Sequence, residues 1–228
     1  MASPPDPYVY SGTRVLRNLL GIRDEAALAR TEYEFTWRRR QELEKSPVQG
    51  EFGLPHLQEI HRRLFCDVFD WAGKLRTVVI SKGSSTFLAS SDFSPAAEHT
   101  FGFLRNGPLL AGPLDDSTFV VEVAEFLSRI NFMHPFREGN GRAQRAFLDQ
   151  VAACDGRTLS WRNVSQMDHT RASIESHNAG NGKALEPVIG RIIEPPLDGL
   201  SPFEGAGYSV HGPLRDGDET AFGGSRVP

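Results

Sequence analysis

Cysteine is scarce. The 228 residues contain two, Cys66 and Cys154. They form no CxxC pair and no metal-type spacing, which excludes a disulfide scaffold and a zinc module and predicts two reduced, packed thiols in a cytoplasmic protein. Long apolar runs are missing too. None approaches the roughly 20 residues that a membrane span needs, so no membrane partner is expected. The opening stretch MASPPDPYVY has no basic region followed by an apolar one, so no secretory leader is expected. Positive charge is in deficit: 25 Lys and Arg against 29 Asp and Glu leave a net charge of −4. That excludes a surface built throughout for nucleic acid and still permits a local cationic pocket. Phenylalanine, by contrast, is plentiful. Fifteen of them supply a core that stands without staples.

The apolar spacing is mostly helical. Asp24 is a plausible cap for a long charged helix ending near Lys45. Its Arg38-Arg39-Arg40 run reads as a solvated face, because Glu42 and Glu44 follow at once. Pro55 suits the first turn of a second helix, whose buried face is Leu57, Ile60, Leu64 and Val68 and which Trp71-Ala72-Gly73 ends. Residues 75–88 differ. Thr77-Val78-Val79-Ile80 and Thr86-Phe87-Leu88 are β-prone around a Lys82-Gly83-Ser84-Ser85 turn, giving one hairpin that must lean on the helical body. A helix follows over 96–106. A broadly apolar one, capped near Asp115, runs to Pro135 and reads as the central helix. Another spans 141–153, and two more lie near 163–179 and 184–193. The expected organisation is a loose tail over 1–7, one domain over 8–195, and a Gly- and Pro-rich tail over 196–228.

The most informative stretch is His134-Pro135-Phe136-Arg137-Glu138-Gly139-Asn140-Gly141-Arg142-Ala143-Gln144-Arg145. One buried helix ends, the chain bends through two glycines, and another buried helix begins. Glycines let the backbone N–H groups curl inward, and the new helix adds orphan N–H groups with a partial positive charge. This is an anion site suited to phosphate. Arg142 and Arg145 share a face of the first turn and can grip further phosphates. They oppose the helix dipole unless an anion binds there, a local conflict that marks function. Glu138 is a hard oxygen ligand for Mg²⁺. His134 is the natural general base, since its unperturbed pKa lies near neutrality. Together these describe a nucleotide-phosphate site.

The same stretch resembles the Fic family motif, His-x-Phe-x-(Asp/Glu)-Gly-Asn-Gly-Arg-x-x-Arg, at every fixed position. Tyr8 to Gly21 and the run Phe69-Asp70-Trp71-Ala72-Gly73-Lys74-Leu75-Arg76 with Ile80-Ser81-Lys82-Gly83 resemble the bacterial Fic toxin subgroup. The resemblance implies an all-α Fic fold, a compact helical bundle with one β-hairpin flap next to the active-site loop. It implies a protein adenylyltransferase that moves AMP from ATP to a hydroxyl side chain of a target protein. By resemblance, His134 takes the hydroxyl proton and Glu138 holds Mg²⁺. Gly139, Asn140 and Gly141 cradle the inner phosphates, Arg142 and Arg145 bind the outer ones, and Phe136 anchors the loop. Ser81, Lys82 and Gly83 of the flap align the target. The adenine pocket is expected to draw on residues 164–172. Kinases of the Doc type carry a Lys where this chain has Gly141, which favours nucleotidyl over phosphoryl transfer.

Many family members carry an inhibitory helix whose Glu pairs with the arginine at the Arg145 position. No such segment precedes the core, and Leu200-Ser201-Pro202-Phe203-Glu204-Gly205 misses the pattern. Inhibition is therefore expected from a small antitoxin that supplies a Glu to Arg145 in trans, and the subgroup suggests type II topoisomerase subunits as targets. Two alternatives remain at this stage: other phosphate-transfer chemistry on the same fold, and a non-catalytic interaction module using Arg38–Arg40.

Overall fold

Asp24 does cap the first helix: its carboxylate accepts the Ala27 N–H at 2.7 Å, and α1 (Glu25–Lys45) follows. The computed structural model describes residues 6–82 and 85–194. Gly83 of the expected flap, residues 1–5 of the expected N-terminal tail and the whole of the expected C-terminal tail, with its Leu200–Gly205 near-match, lie outside the described residues. Before α1, residues 6–23 form an irregular hook. A bridge between Val9 and Leu16 closes it, and the Leu19 N–H donates to the Val68 carbonyl at 2.8 Å.

Helix α2 (Leu54–Phe65) takes Pro55 into its first turn and buries Leu57, Ile60 and Leu64. The sequence reading carried it to Trp71–Gly73, and the structure ends it at Phe65. The apolar spacing continues because Val68 and Phe69 are still buried, but they lie on a tight turn whose N–H groups both reach the Phe65 carbonyl. Gly73 closes that turn with φ +80°. A Cβ there would stand 2.8 Å from Arg62 Cβ, so only glycine fits.

The hairpin exists but is far shorter than the β-prone stretch. Strand β1 (Ser81–Lys82) pairs antiparallel with β2 (Ser85–Thr86), Ser81 opposite Thr86. Residues 77–80 and 87–88 are not strand. They carry the hairpin as two stems, joined by the Phe87 N–H on the Ile80 carbonyl at 3.1 Å. Helices α3 (Phe93–Asn106), α4 (Asp116–Met133) and α5 (Asn140–Cys154) build the centre. Asp115 caps α4 by accepting the Thr118 N–H. Phe101, Phe119, Phe126 and Phe147 fill the middle, with Phe126 and Phe147 stacked at 5.6 Å.

Strand β3 (Thr158–Leu159), helix α6 (Gln166–Ala179), helix α7 (Glu186–Ile192) and strand β4 (Ile193–Glu194) complete the described chain. Strands β3 and β4 pair antiparallel, a contact too short and too distant in sequence to be read from propensity. Cys66 and Cys154 are free thiols, and burial pushes the Cys154 thiol up to about 11. Among the described residues no helix is long and apolar enough to cross a membrane. Arg39 and Arg40 are not simply solvated. Arg39 grips Asp67 through two bonds at 2.6 and 2.7 Å, and Arg40 pairs with Asp149 at 2.5 Å.

Candidate active site

Helix α4 ends on His134, which sits at φ 45°, ψ 61°. It is the one non-glycine with positive φ among the described residues. Such a backbone costs of order 1–3 kcal/mol and persists only where the surroundings impose it. Here the next residues are locked. Phe136 is fully buried and stacks on His61 at 3.8 Å. The Asn140 side chain holds Phe136 from both directions, accepting its N–H at 2.8 Å and donating to its carbonyl at 2.7 Å. Asn140 therefore closes the loop with its side chain, and only its backbone is turned to the α5 end. Gly139 has φ +80°, and a Cβ there would lie 2.3 Å from the Phe65 ring, so α2 itself presses the loop into shape.

The His134 imidazole is buried and stacks face to face on Phe87 of the flap at 3.8 Å. Neither ring nitrogen makes a hydrogen bond of good geometry. Burial, then the charges of Lys82 and Arg76, hold the ring down at about 3, so it is neutral at physiological pH. It faces a cavity of about 360 Å³ whose walls include Lys82, Ser85, Phe87, Thr170 and His177. Flap and base thus meet in one space.

The α5 end is cationic. Arg142 lies over the Phe65 ring at 4.7 Å and forms an ion pair with Glu32, which is buried on α1; it also reaches Thr36 at 3.4 Å. Burial raises the Glu32 pKa, and the Arg142 charge opposes that rise. Arg145 is different. Its guanidinium makes no hydrogen bond or ion pair with any described residue and stands 6.0 Å over the Trp161 ring. Burial and the charges of Arg40 and Arg142 push its pKa below the usual value. The neighbouring Asp149 is already engaged by Arg40 and by the Trp161 indole at 2.6 Å.

Between the two ends, the Glu138 carboxylate accepts the Gly139 N–H at 2.9 Å through one oxygen and lies 3.9 Å from Arg142. Its other oxygen has no protein partner among the described residues. The Glu138 carbonyl is fixed by His61. The His61 Nδ1 accepts the Gly73 N–H at 2.8 Å, which leaves Nε2–H to donate to that carbonyl at 2.9 Å. In the expected adenine region, His169 packs edge-on against Trp161 at 5.8 Å. Burial and the nearby Arg145 charge lower its pKa to about 4.

Of the residues singled out in the sequence, His134, Ser85 and Lys82 line one cavity, while Phe136 and Asn140 are buried in the loop that leads from His134 to α5. Sequence reasoning missed Glu32, His61 and Arg76, which support that loop from α1, α2 and the segment after Gly73. A buried Glu or His inside an otherwise apolar face was the available signal, and it was weak.

A model of the Fic/DOC family matches residues 51–152. The chain is 40% identical over 188 residues to "Protein adenylyltransferase VbhT" of Bartonella schoenbuchensis, covering 82% of this chain and 39% of that protein. It is 36% identical to "Probable protein adenylyltransferase Fic" of Escherichia coli, covering 82% of this chain and 92% of that one. Among solved structures, the N-terminal Fic domain of a VirB-translocated Bep effector protein from Bartonella quintana, with bound ADP, aligns with TM-score 0.77 at 25% identity. The alignment covers 83% of this chain and 95% of that chain.

Proposed function

The chain belongs to the Fic/DOC family, and from that premise we propose that it is a protein adenylyltransferase, transferring AMP from ATP to a hydroxyl side chain of a target protein. The observation that carries the reading is a buried, neutral imidazole that shares one cavity with the flap residues Lys82, Ser85 and Phe87. A neutral His134 can take the hydroxyl proton as the oxygen attacks the α-phosphorus. The bond from that phosphorus to the β-phosphate oxygen breaks, and pyrophosphate leaves. Backbone N–H groups at the start of α5, with Arg145, answer the charge on the leaving phosphates. Arg142 joins them on its open side, while Glu32 fixes its direction. Phe136 and Asn140 keep the loop closed, and Ser81, Lys82 and Gly83 align the target.

Mg²⁺ fits this donor set. Such an ion takes one or two carboxylates plus phosphate oxygens, and Glu138 offers one oxygen without a protein partner. When bound it would offset charge on the phosphates. Arg145 without a carboxylate supports inhibition in trans by a small antitoxin presenting a Glu, and the chain would then be the toxin of such a pair. Type II topoisomerase subunits enter as targets through the subgroup resemblance alone.

The test is incubation of the chain with bacterial lysate, Mg²⁺ and ATP labelled at either the α- or the γ-phosphate, followed by intact-mass analysis. The expected outcome is α-label on protein, a mass increase of one AMP, and a loss of about 10³-fold or more in His134→Ala with ATP affinity retained. Transfer of the γ-label would replace this reading with a kinase.

A further inference from the structure

Arg76 is 1% exposed, the lowest whole-residue exposure of any Asp, Glu, Lys or Arg among the described residues. No carboxylate answers it. Its guanidinium donates only to backbone carbonyls: Nε to His134 at 2.9 Å, Nη1 to Val78 at 2.5 Å, and Nη2 to Leu88 at 2.5 Å and Met133 at 3.4 Å. Its own N–H donates to the Pro135 carbonyl at 2.9 Å. The Phe93 ring lies 4.8 Å below the guanidinium. An enclosed cation of this kind is costly unless its donors are satisfied. Two of its acceptors, Met133 and His134, are carbonyls at the C-terminal end of α4, where the helix dipole is negative, so the charge is met by backbone.

Those acceptors belong to three places. Val78 lies on the stem that enters β1. Leu88 lies on the stem that leaves β2. Met133 and His134 close α4 and open the loop. A hairpin with two residue pairs cannot hold its own position. One planar side chain spans both of its stems and the residue that carries the base.

We propose that Arg76 is the positioning residue that registers the flap, and with it the incoming hydroxyl, against His134. The inference rests on the reading of His134 as the base. Arg76 holds the His134 carbonyl, and so the left-handed backbone that aims the imidazole, from the same guanidinium that fixes where the flap stands. Lysine cannot substitute: its donors radiate from one nitrogen and do not reach carbonyls on all three segments. Methionine fills the volume but leaves the carbonyls unpaired.

The experiment starts with the wild-type chain and His134→Ala, assayed with α-labelled ATP on an acceptor protein found by the mass screen. Transfer by the first and none by the second secures the premise; equal transfer by both would overturn the role of His134. Arg76→Lys and Arg76→Met are then compared for kcat on the acceptor, for affinity toward a non-hydrolysable ATP analogue, and for hydrogen exchange at the Phe87 amide. Arg76→Lys is expected to lose about tenfold to hundredfold in kcat, the cost of roughly 1 Å of misplacement, with nucleotide affinity within about twofold. The Phe87 amide should exchange faster. Unchanged kcat in either variant, or nucleotide affinity falling in step with kcat, would overturn the proposal. Where Arg76→Met does not fold, Arg76→Lys, which keeps the charge, carries the test.

Discussion

The two ends of the 134–145 loop carry the same residue type under opposite electrostatic conditions. At the α4 end an arginine meets the negative pole of a helix, and each of the three guanidinium nitrogens of Arg76 donates to a carbonyl. At the α5 end Arg142 stands in the first turn, where the dipole repels it, and Arg145 lies one turn on, where burial and the charges of Arg40 and Arg142 work against it. Arg142 is reconciled by the buried Glu32, whereas Arg145 has no ion pair of its own and only the charge of Asp149, which Arg40 and Trp161 already engage. The first end is complete as protein. The second keeps a cationic excess, which the phosphates of the proposed nucleotide would offset. The contrast separates what holds the loop from what the loop is for.

Arg142→Ala should break the contrast most severely. It strips the partner from a buried carboxylate, and the cost should be about 2–3 kcal/mol, under the range for fully enclosed pairs because Arg142 is partly exposed. Chemical denaturation reads this directly. Adding Glu32→Gln should recover most of the loss, and a neutral single variant would mean that the pair contributes nothing.

Acid should act on the imidazoles and leave the arginines untouched. His134, His61 and His169 are held at about 3, 4 and 4 in the folded chain, below the usual value of 6.5. From pH 6.5 downward the unfolded chain therefore binds more protons, and stability falls. Asp149 works the other way: burial holds it at about 6, so it gains a proton on the folded side. His56 is lowered in the same sense as the other three imidazoles, while burial raises Glu32 and Glu122 alongside Asp149; the imidazoles titrate first in the unfolded chain, and the thermal midpoint should drop between pH 7 and pH 5. A flat profile would show that the imidazoles are solvated.

Arg145→Gln should have the smallest effect on folding and the opposite sign. Removing a partly buried cation that the Arg40 and Arg142 charges oppose should stabilise the chain by about 0.5 kcal/mol, while the KM for ATP rises. Loss of stability in this variant would mean that the guanidinium has a structural partner, and the contrast would fail.

Much of this was legible in advance. Caps at Asp24 and Asp115, Pro55 in a first turn and the two helices flanking the loop all follow from local chemistry that tertiary structure did not override. The end of α2 was misplaced because Val68 keeps the helical spacing on a segment that is a turn, and periodicity cannot see the Gly73 contact that forces it. The hairpin was overdrawn because Thr77-Val78-Val79-Ile80 has strand propensity but gives the Thr77 N–H to the Tyr8 hydroxyl and the Val78 carbonyl to Arg76, leaving Ile80 to bond across to Phe87. The candidate loop could be picked out because its residues are contiguous. Its supports, Glu32, His61 and Arg76, lie tens of residues away and converge only in three dimensions.

The loop's two glycines have different reasons to exist. Gly139 is dictated by the aromatic ring beneath it, whereas a methyl group at Gly141 would meet only the tip of Arg145, at 3.5 Å. Along a lineage that abandoned the chemistry, the first glycine would still be retained to keep the chain foldable, and the second would be free to drift. A change at position 141 would thus register altered chemistry, and a change at position 139 a disturbed fold.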